Sequence, residues 1–153
     1  MNTSTDRIER QIHIKAPRTK VWRALADAES FGDWFGVALK GKRFVAGEPV
    51  EGPITYPGYE HITWRVVMDR IEPERLLSFR WHPYAIDPDV DYSHEPTTLV
   101  VFELEETHDG TLLRLTESGF DRIPPERRAE AFRMNSGGWD QQMVNIENHV
   151  ASH

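Results

Sequence analysis

The last thirty residues, Pro124 to His153, constrain the fold more than any other stretch. They open Pro124-Pro125-Glu126-Arg127-Arg128. Proline is tolerated in the first helical turn and an acid there suits the positive end of the helix dipole, so this is the chemistry of a helix start. No proline follows. Phe132, Trp139, Met143, Ile146 and Val150 stand at steps of seven, four, three and four, which puts them on one stripe of a 3.6-residue helix. Arg127, Glu130, Arg133, Asp140, Gln141 and Asn148 take the opposite face. The spacing predicts one helix from about Pro125 to about Val150, with an apolar stripe that needs a large partner surface. Ser136-Gly137-Gly138 sits in its middle. Each glycine costs a helix roughly 1 kcal/mol against alanine. The pair therefore predicts either a kink or space beside the helix for something other than protein.

The rest of the chain supplies that surface as strands. Arg7 to Lys15 alternates, with Ile8, Ile12 and Ile14 on one side and Arg10 breaking the inner row. Ala16-Pro17 starts a short helix whose buried stripe is Val21, Trp22 and Leu25, and Asp27 caps a second through Phe31 to about Phe35. Val37-Ala38-Leu39 and Arg43-Phe44-Val45 read as strand pieces among glycine and proline turns. Clear alternation follows in Ile62, Trp64, Val66, Met68, then in Leu77, Phe79, Trp81, then in Val100, Phe102, Leu104. His108-Asp109-Gly110 reads as a hairpin turn into a strand with Leu113 and Leu115 inward. Tyr84 to Pro96 is a polar, proline-bounded loop, long enough to serve as a lid or flexible tip. One strand, two short helices, five or six strands and one long helix make an α+β order, with a curved antiparallel sheet wrapped around the C-terminal helix. A curved sheet cannot touch a straight helix along its whole length, so a pocket opens between them.

One domain over 1–153, with its core at about 7–150, is the simplest division of 153 residues. No apolar run approaches a membrane span. Met1 to Arg7 holds no hydrophobic signal core, and the chain has no cysteine, so a cytoplasmic protein without disulfides, thiol chemistry or cysteine-bound zinc is expected. A net charge of −7 argues against nonspecific nucleic-acid binding.

Ile14-Lys15-Ala16-Pro17 with Val21-Trp22-Arg23-Ala24-Leu25 resembles the opening signature of the START-like superfamily, also called SRPBCC or helix-grip. Ile71-Glu72-Pro73-Glu74-Arg75-Leu76, Phe79-Arg80-Trp81, Gly110-Thr111, Glu117-Ser118-Gly119-Phe120 and Gly138-Trp139 resemble its branch named after the activator of heat-shock-protein-90 ATPase. The resemblance covers the chain from about Arg7 to Val150. It implies a seven-strand-like curved sheet gripping the C-terminal helix around a hydrophobic cavity. Members bind lipids, polyketides or hormones, some are cyclases, and one is a co-chaperone, so the fold alone does not choose among them.

Glu117 is the polar residue that says most. The period of two from Leu113 and Leu115 turns it inward, where a carboxylate loses hydration and needs a donor. It is either a cavity acid facing a ligand or an acid satisfied by backbone, by Arg122 or by the start of the last helix. Trp34, Trp64, Trp81 and Trp139 read as inward. They could clamp a flat ligand, or be ordinary core, which is the preferred reading for Trp22 and Trp64. Trp139 follows the glycine pair and reads as a cavity wall, with Asn135 and Ser136 within a turn of it. The candidate ligand-binding set is Trp34, Trp81, Phe102, Glu117, Phe132, Asn135, Trp139 and Met143. The seven histidines are scattered without zinc spacing, apart from His149 and His153 at the frayed terminus, and Asp87-Pro88-Asp89-Val90-Asp91 lacks the glycine and glutamate of a calcium loop, so neither a metal nor a cofactor is expected. Gly-x-Ser-x-Gly, P-loop and dinucleotide motifs are missing. The expected function is binding of a small hydrophobic or aromatic molecule. The alternatives are a cyclase- or hydrolase-type enzyme using Glu117 as acid or base, and a co-chaperone-like activator. An enzyme needs at least two convergent titratable groups, and only Glu117 reads as inward.

Overall fold

The computed structural model describes residues 5–87 and 89–153; Met1–Ser4 and Pro88, both drawn on above, lie outside them. The alternating segments become one antiparallel sheet: β1 (Arg7–Ile14), β2 (Pro49–Pro53), β3 (Thr63–Glu72), β4 (Leu76–Trp81), β5 (Thr98–Thr107) and β6 (Gly110–Ser118). Helices α1 (Arg18–Ala26) and α2 (Ala28–Phe35) follow β1, and α3 (Pro125–Ser152) follows β6 after a single turn at Phe120–Arg122. The sheet order is β1-β6-β5-β4-β3-β2, so the first strand closes beside the last. This is the α+β arrangement expected from the element order, and it is consistent with the helix-grip fold that the resemblance implies. The described residues form six strands rather than seven. Val37 contributes a single bridge to Ile54 and Arg43-Phe44-Val45 lies outside the sheet, so those two expected strand pieces are not strands. Gly41 and Gly47, both in the left-handed region, break the extended run on either side of Arg43-Phe44-Val45.

One face of the sheet carries the core. Ile8 stands opposite Glu117, Glu117 opposite Val100, Val100 opposite Phe79 and Phe79 opposite Met68. All five are buried. Trp81 stands opposite Thr98 one step along the same face. A bulge between Met68 and Arg70 shifts the register of β3 on β4, and the Ser78 hydroxyl fills it, accepting from Arg70 N and donating to Asp69.

Helix α3 lies across this face. Its buried residues are Ala131, Trp139, Met143, Ile146 and Val150. Phe132 is half-buried and packs edge-on against Phe120, 5.1 Å between ring centres, so Ala131 takes the core position at that end. Arg10, which interrupts the inner row of β1, is a lashing point: its guanidinium donates to Asp140 at 2.6 Å and to the Ser136 hydroxyl at 3.0 Å. Helix α2 is capped by Asp27, which accepts from Ser30 N at 3.0 Å, and ends at Gly36 with φ 98°. Gly32 permits the close turn beyond it, since a Cβ there would lie 2.2 Å from the Val37 carbonyl oxygen. Trp22, expected in the buried stripe of α1, is only half-buried. Among the described residues no helix is long and apolar enough to cross a membrane.

Gly137 and Gly138 do not break α3. A Cβ at either would meet nothing within 4 Å, so the glycine pair leaves space beside the helix. Gly137→Ala is therefore expected to raise stability by about 1 kcal/mol, the helix propensity difference, in urea denaturation; a loss of stability would mean that the glycine is needed there.

Candidate functional site

Four neutral donors converge on the Glu117 carboxylate. Trp139 Nε1 donates to Oε1 at 2.8 Å and Trp81 Nε1 to Oε2 at 2.7 Å. The Thr98 hydroxyl donates to Oε2 at 2.6 Å, and Asn135 Nδ2 reaches both oxygens, at 3.0 and 3.2 Å. Glu117 is 0% exposed. Strand parity puts Trp81, Thr98 and Glu117 on one face of adjacent strands. Asn135 and Trp139, four residues apart on one side of α3, meet them from above. Burying a carboxylate costs several kcal/mol unless it is hydrogen-bonded, and hydrogen bonds to a charged group return about 1.5–3 kcal/mol each. Neither Arg122, the backbone nor the first turn of α3, the partners weighed from the sequence, is among the donors.

The donors use their N–H edges on Glu117 and leave ring surface for packing and for open space. A cavity of about 360 Å³ lies between sheet, α2 and α3, its walls including Phe35, Trp64, Trp81, Tyr84, Ile86, Tyr92, Asn135 and Gln142. A smaller one of about 130 Å³ is lined by Phe35, Trp81, Asn135, Gly138, Trp139 and Gln142. Four residues are common to both, so they form one cleft, and the second reaches the helix where Gly138 presents only backbone. Phe35, Trp81 and Trp139 stand in a triangle with ring centres 5.9 to 6.1 Å apart. Gln142 fixes one corner, donating to the Phe35 carbonyl at 2.9 Å.

The loop after β4 covers one side. Tyr84, Ala85, Ile86 and Tyr92 line the larger cavity, and Arg127 of α3 holds the loop. Its guanidinium donates to Glu95 at 2.8 and 3.0 Å and to the carbonyls of Pro83 and Tyr84 at 2.8 and 3.2 Å, and lies 4.8 Å from the Tyr92 ring centre. Beyond Tyr56 a separate polar groove runs past Asp33, Asn145 and His149. Burial first, then the neighbouring His153, lowers the His149 pKa below the ordinary histidine value.

Of the eight residues singled out from the sequence, Trp81, Asn135 and Trp139 line the cleft, and Glu117 lies behind them. Trp34, Phe102 and Met143 are buried in the packed core and line neither cavity. Trp34 donates to the Ala24 carbonyl at 2.8 Å, and Phe102 backs Trp139 at 5.8 Å. Phe132 sits on Phe120, away from the cleft. Sequence reasoning missed Phe35, Gln142, Tyr84 and Tyr92. Gln142 was findable, since Asn135, Gly138 and Gln142 fall at i, i+3 and i+7. The loop residues carry no period. Among the described residues no cluster of histidine and acidic side chains could hold a metal ion.

The sequence profile of the family described as Activator of Hsp90 ATPase homolog 1-like protein matches residues 15–151. The chain belongs to that family. The match contains every residue of the cleft and leaves out only β1 among the strands. No curated protein matches the chain. Solved structures of similar fold include a Mesorhizobium loti protein, 23% identical with TM-score 0.72 over 95% of this chain and 97% of its own. A Nitrosomonas europaea protein is 17% identical with TM-score 0.73 over 99% and 98%. An Arthrobacter aurescens protein is 14% identical with TM-score 0.76 over 99% and 91%. At such identities the likeness is one of fold, and the family's SRPBCC-like sheet and helix are what they share with this chain.

Two sets of substitutions test the Glu117 cluster and the loop contact. Trp64 and Trp139 are both buried, but the Trp64 Nε1–H has no acceptor. Trp139→Phe is expected to cost about 1–3 kcal/mol more than Trp64→Phe, because it alone removes a hydrogen bond to a buried group; equal losses in urea denaturation would contradict this. Arg127→Ala is expected to speed hydrogen exchange in residues 84–95 while leaving β5 and β6 protected. Uniform exchange across the chain would mean that Arg127 supports the whole fold.

Proposed function

We propose that this protein binds a flat aromatic small molecule in the cleft between sheet and α3, without transforming it. The observation that carries the reading is the ring triangle of Phe35, Trp81 and Trp139 beside open space, with both indoles held at their N–H edges by Glu117. Walls fixed in this way need little reordering when a ligand enters, which favours affinity. The larger cavity, about 360 Å³, falls in the ordinary range for small-molecule pockets. Aromatic faces favour an offset or edge-on aromatic partner over an aliphatic one of the same area.

An enzyme using Glu117 would need its oxygens within reach of the reacting atom. Here both accept from side chains that stand between them and the cleft. A co-chaperone-like activator needs a contiguous exposed apolar surface, whereas the exposed large apolar residues are spread over the chain: Val45, Tyr56 and Tyr59, Val67, Val90, and Met134 and Val144, which are about three turns apart on α3. Binding is therefore the reading carried forward, and a chain without cysteine suits the reducing cytoplasm as its compartment.

Methoxynaphthalene and decanol, of comparable apolar area, separate aromatic recognition from general greasiness. The aromatic compound is expected to bind at least about tenfold tighter, roughly 1.4 kcal/mol, and to shift the indole N–H resonances of Trp81 and Trp139 in proton–nitrogen NMR spectra. Equal binding of the two, or shifts confined to other residues, would contradict the reading.

A further inference from the structure

We infer that the bound molecule presents a hydrogen-bond donor, a hydroxyl or N–H, to Asn135 Oδ1, and that Asn135 thereby sets specificity in the cleft. The inference rests on the binding reading above and names the polar half of the ligand.

A carboxylate only accepts hydrogen bonds. The Asn135 amide, 3.0 and 3.2 Å from the two Glu117 oxygens, must therefore turn its NH₂ toward Glu117. The opposite orientation would set a carbonyl oxygen against a carboxylate. Glu117 thus fixes the amide and directs Oδ1 away from itself. Asn135 lines both parts of the cleft. Its Oδ1 accepts no hydrogen bond from any described residue, and it is not among the buried polar atoms sealed away without a partner, so it remains reachable.

Around the ring triangle, the other polar side chains lining the smaller part of the cleft are already engaged. The Trp81 N–H is on Glu117. Gln142 donates to the Phe35 carbonyl and accepts from Asn145. The His82 ring nitrogen pairs with the Glu95 carbonyl. Beside the ring triangle this leaves a fixed, unmatched acceptor. A ligand that fills the space with an apolar group at that point strips water from Oδ1 and returns nothing, whereas one with a donor there replaces the lost bond.

Naphthol and methoxynaphthalene share the ring system and the oxygen, but only naphthol donates. Their affinities should be measured for the wild type and for Asn135→Ala, in which Glu117 keeps three donors. In the wild type naphthol is expected to bind at least about fivefold tighter than the ether. In Asn135→Ala that ratio is expected to fall to about one through loss of naphthol affinity. If the ether binds the wild type as tightly as naphthol does, or the variant keeps the preference, the inference is overturned while the binding reading stands. If neither compound binds the wild type, the binding reading fails and takes this inference with it. The wild-type ratio alone decides the matter should the variant fail to fold.

Discussion

One buried carboxylate organises this molecule. Glu117 lies under the helix with no exposure, and four side chains from three other elements are oriented by the need to satisfy it. Charge-assisted hydrogen bonds gain strength in a low-dielectric interior, and an unpaired carboxylate there would cost more than any single aromatic contact returns. The arrangement therefore favours all four donors in place together, which fixes the rotation of two indoles and one amide.

That constraint explains how sheet and helix can be held firmly and still leave room between them. An entirely apolar interface would close until it was packed. Here the contact is concentrated at defined points: Glu117 with Trp139 and Asn135 in the middle of α3, Arg10 with Ser136 and Asp140 on the β1 side, and Gln142 with the Phe35 carbonyl on the α2 side. Arg127 adds a fourth, to the loop after β4. Between these points Gly138 withholds a side chain, and the cleft survives. Gly138, unfavourable for helix propensity, is thus consistent with a surface kept open for a ligand.

Much of the fold was legible because it rests on periods. A step of two gave the inward faces of β3, β4, β5 and β6, and turned Glu117 inward from Leu113 and Leu115. A step near 3.6 gave α3 and its stripe. The period failed where a local neighbour decided: Phe132 fits the stripe by spacing, but Phe120 lies nearer and takes it. Val37-Ala38-Leu39 and Arg43-Phe44-Val45 have strand composition, but glycine turns cut them off from the ladder. The site was legible in part. That Glu117 points inward follows from parity, whereas the identity of its donors does not, because Trp81, Thr98, Asn135 and Trp139 come from three separate elements, and only the register β6 on β5 and β5 on β4, with the placement of α3, brings them together. Arg122, closer in sequence, was the natural guess and is not a partner.

The most direct measurement of the central claim is Glu117→Gln, read by chemical denaturation and by the indole N–H resonances in proton–nitrogen NMR. The substitution keeps the size of the side chain but replaces one accepting oxygen with an NH₂ that must face an existing donor. A hub of the kind described predicts a loss of about 2 kcal/mol or more, with the Trp81 and Trp139 resonances moving together. Unchanged stability with both resonances in place would show that the carboxylate is incidental to the cleft and that packing alone holds its walls.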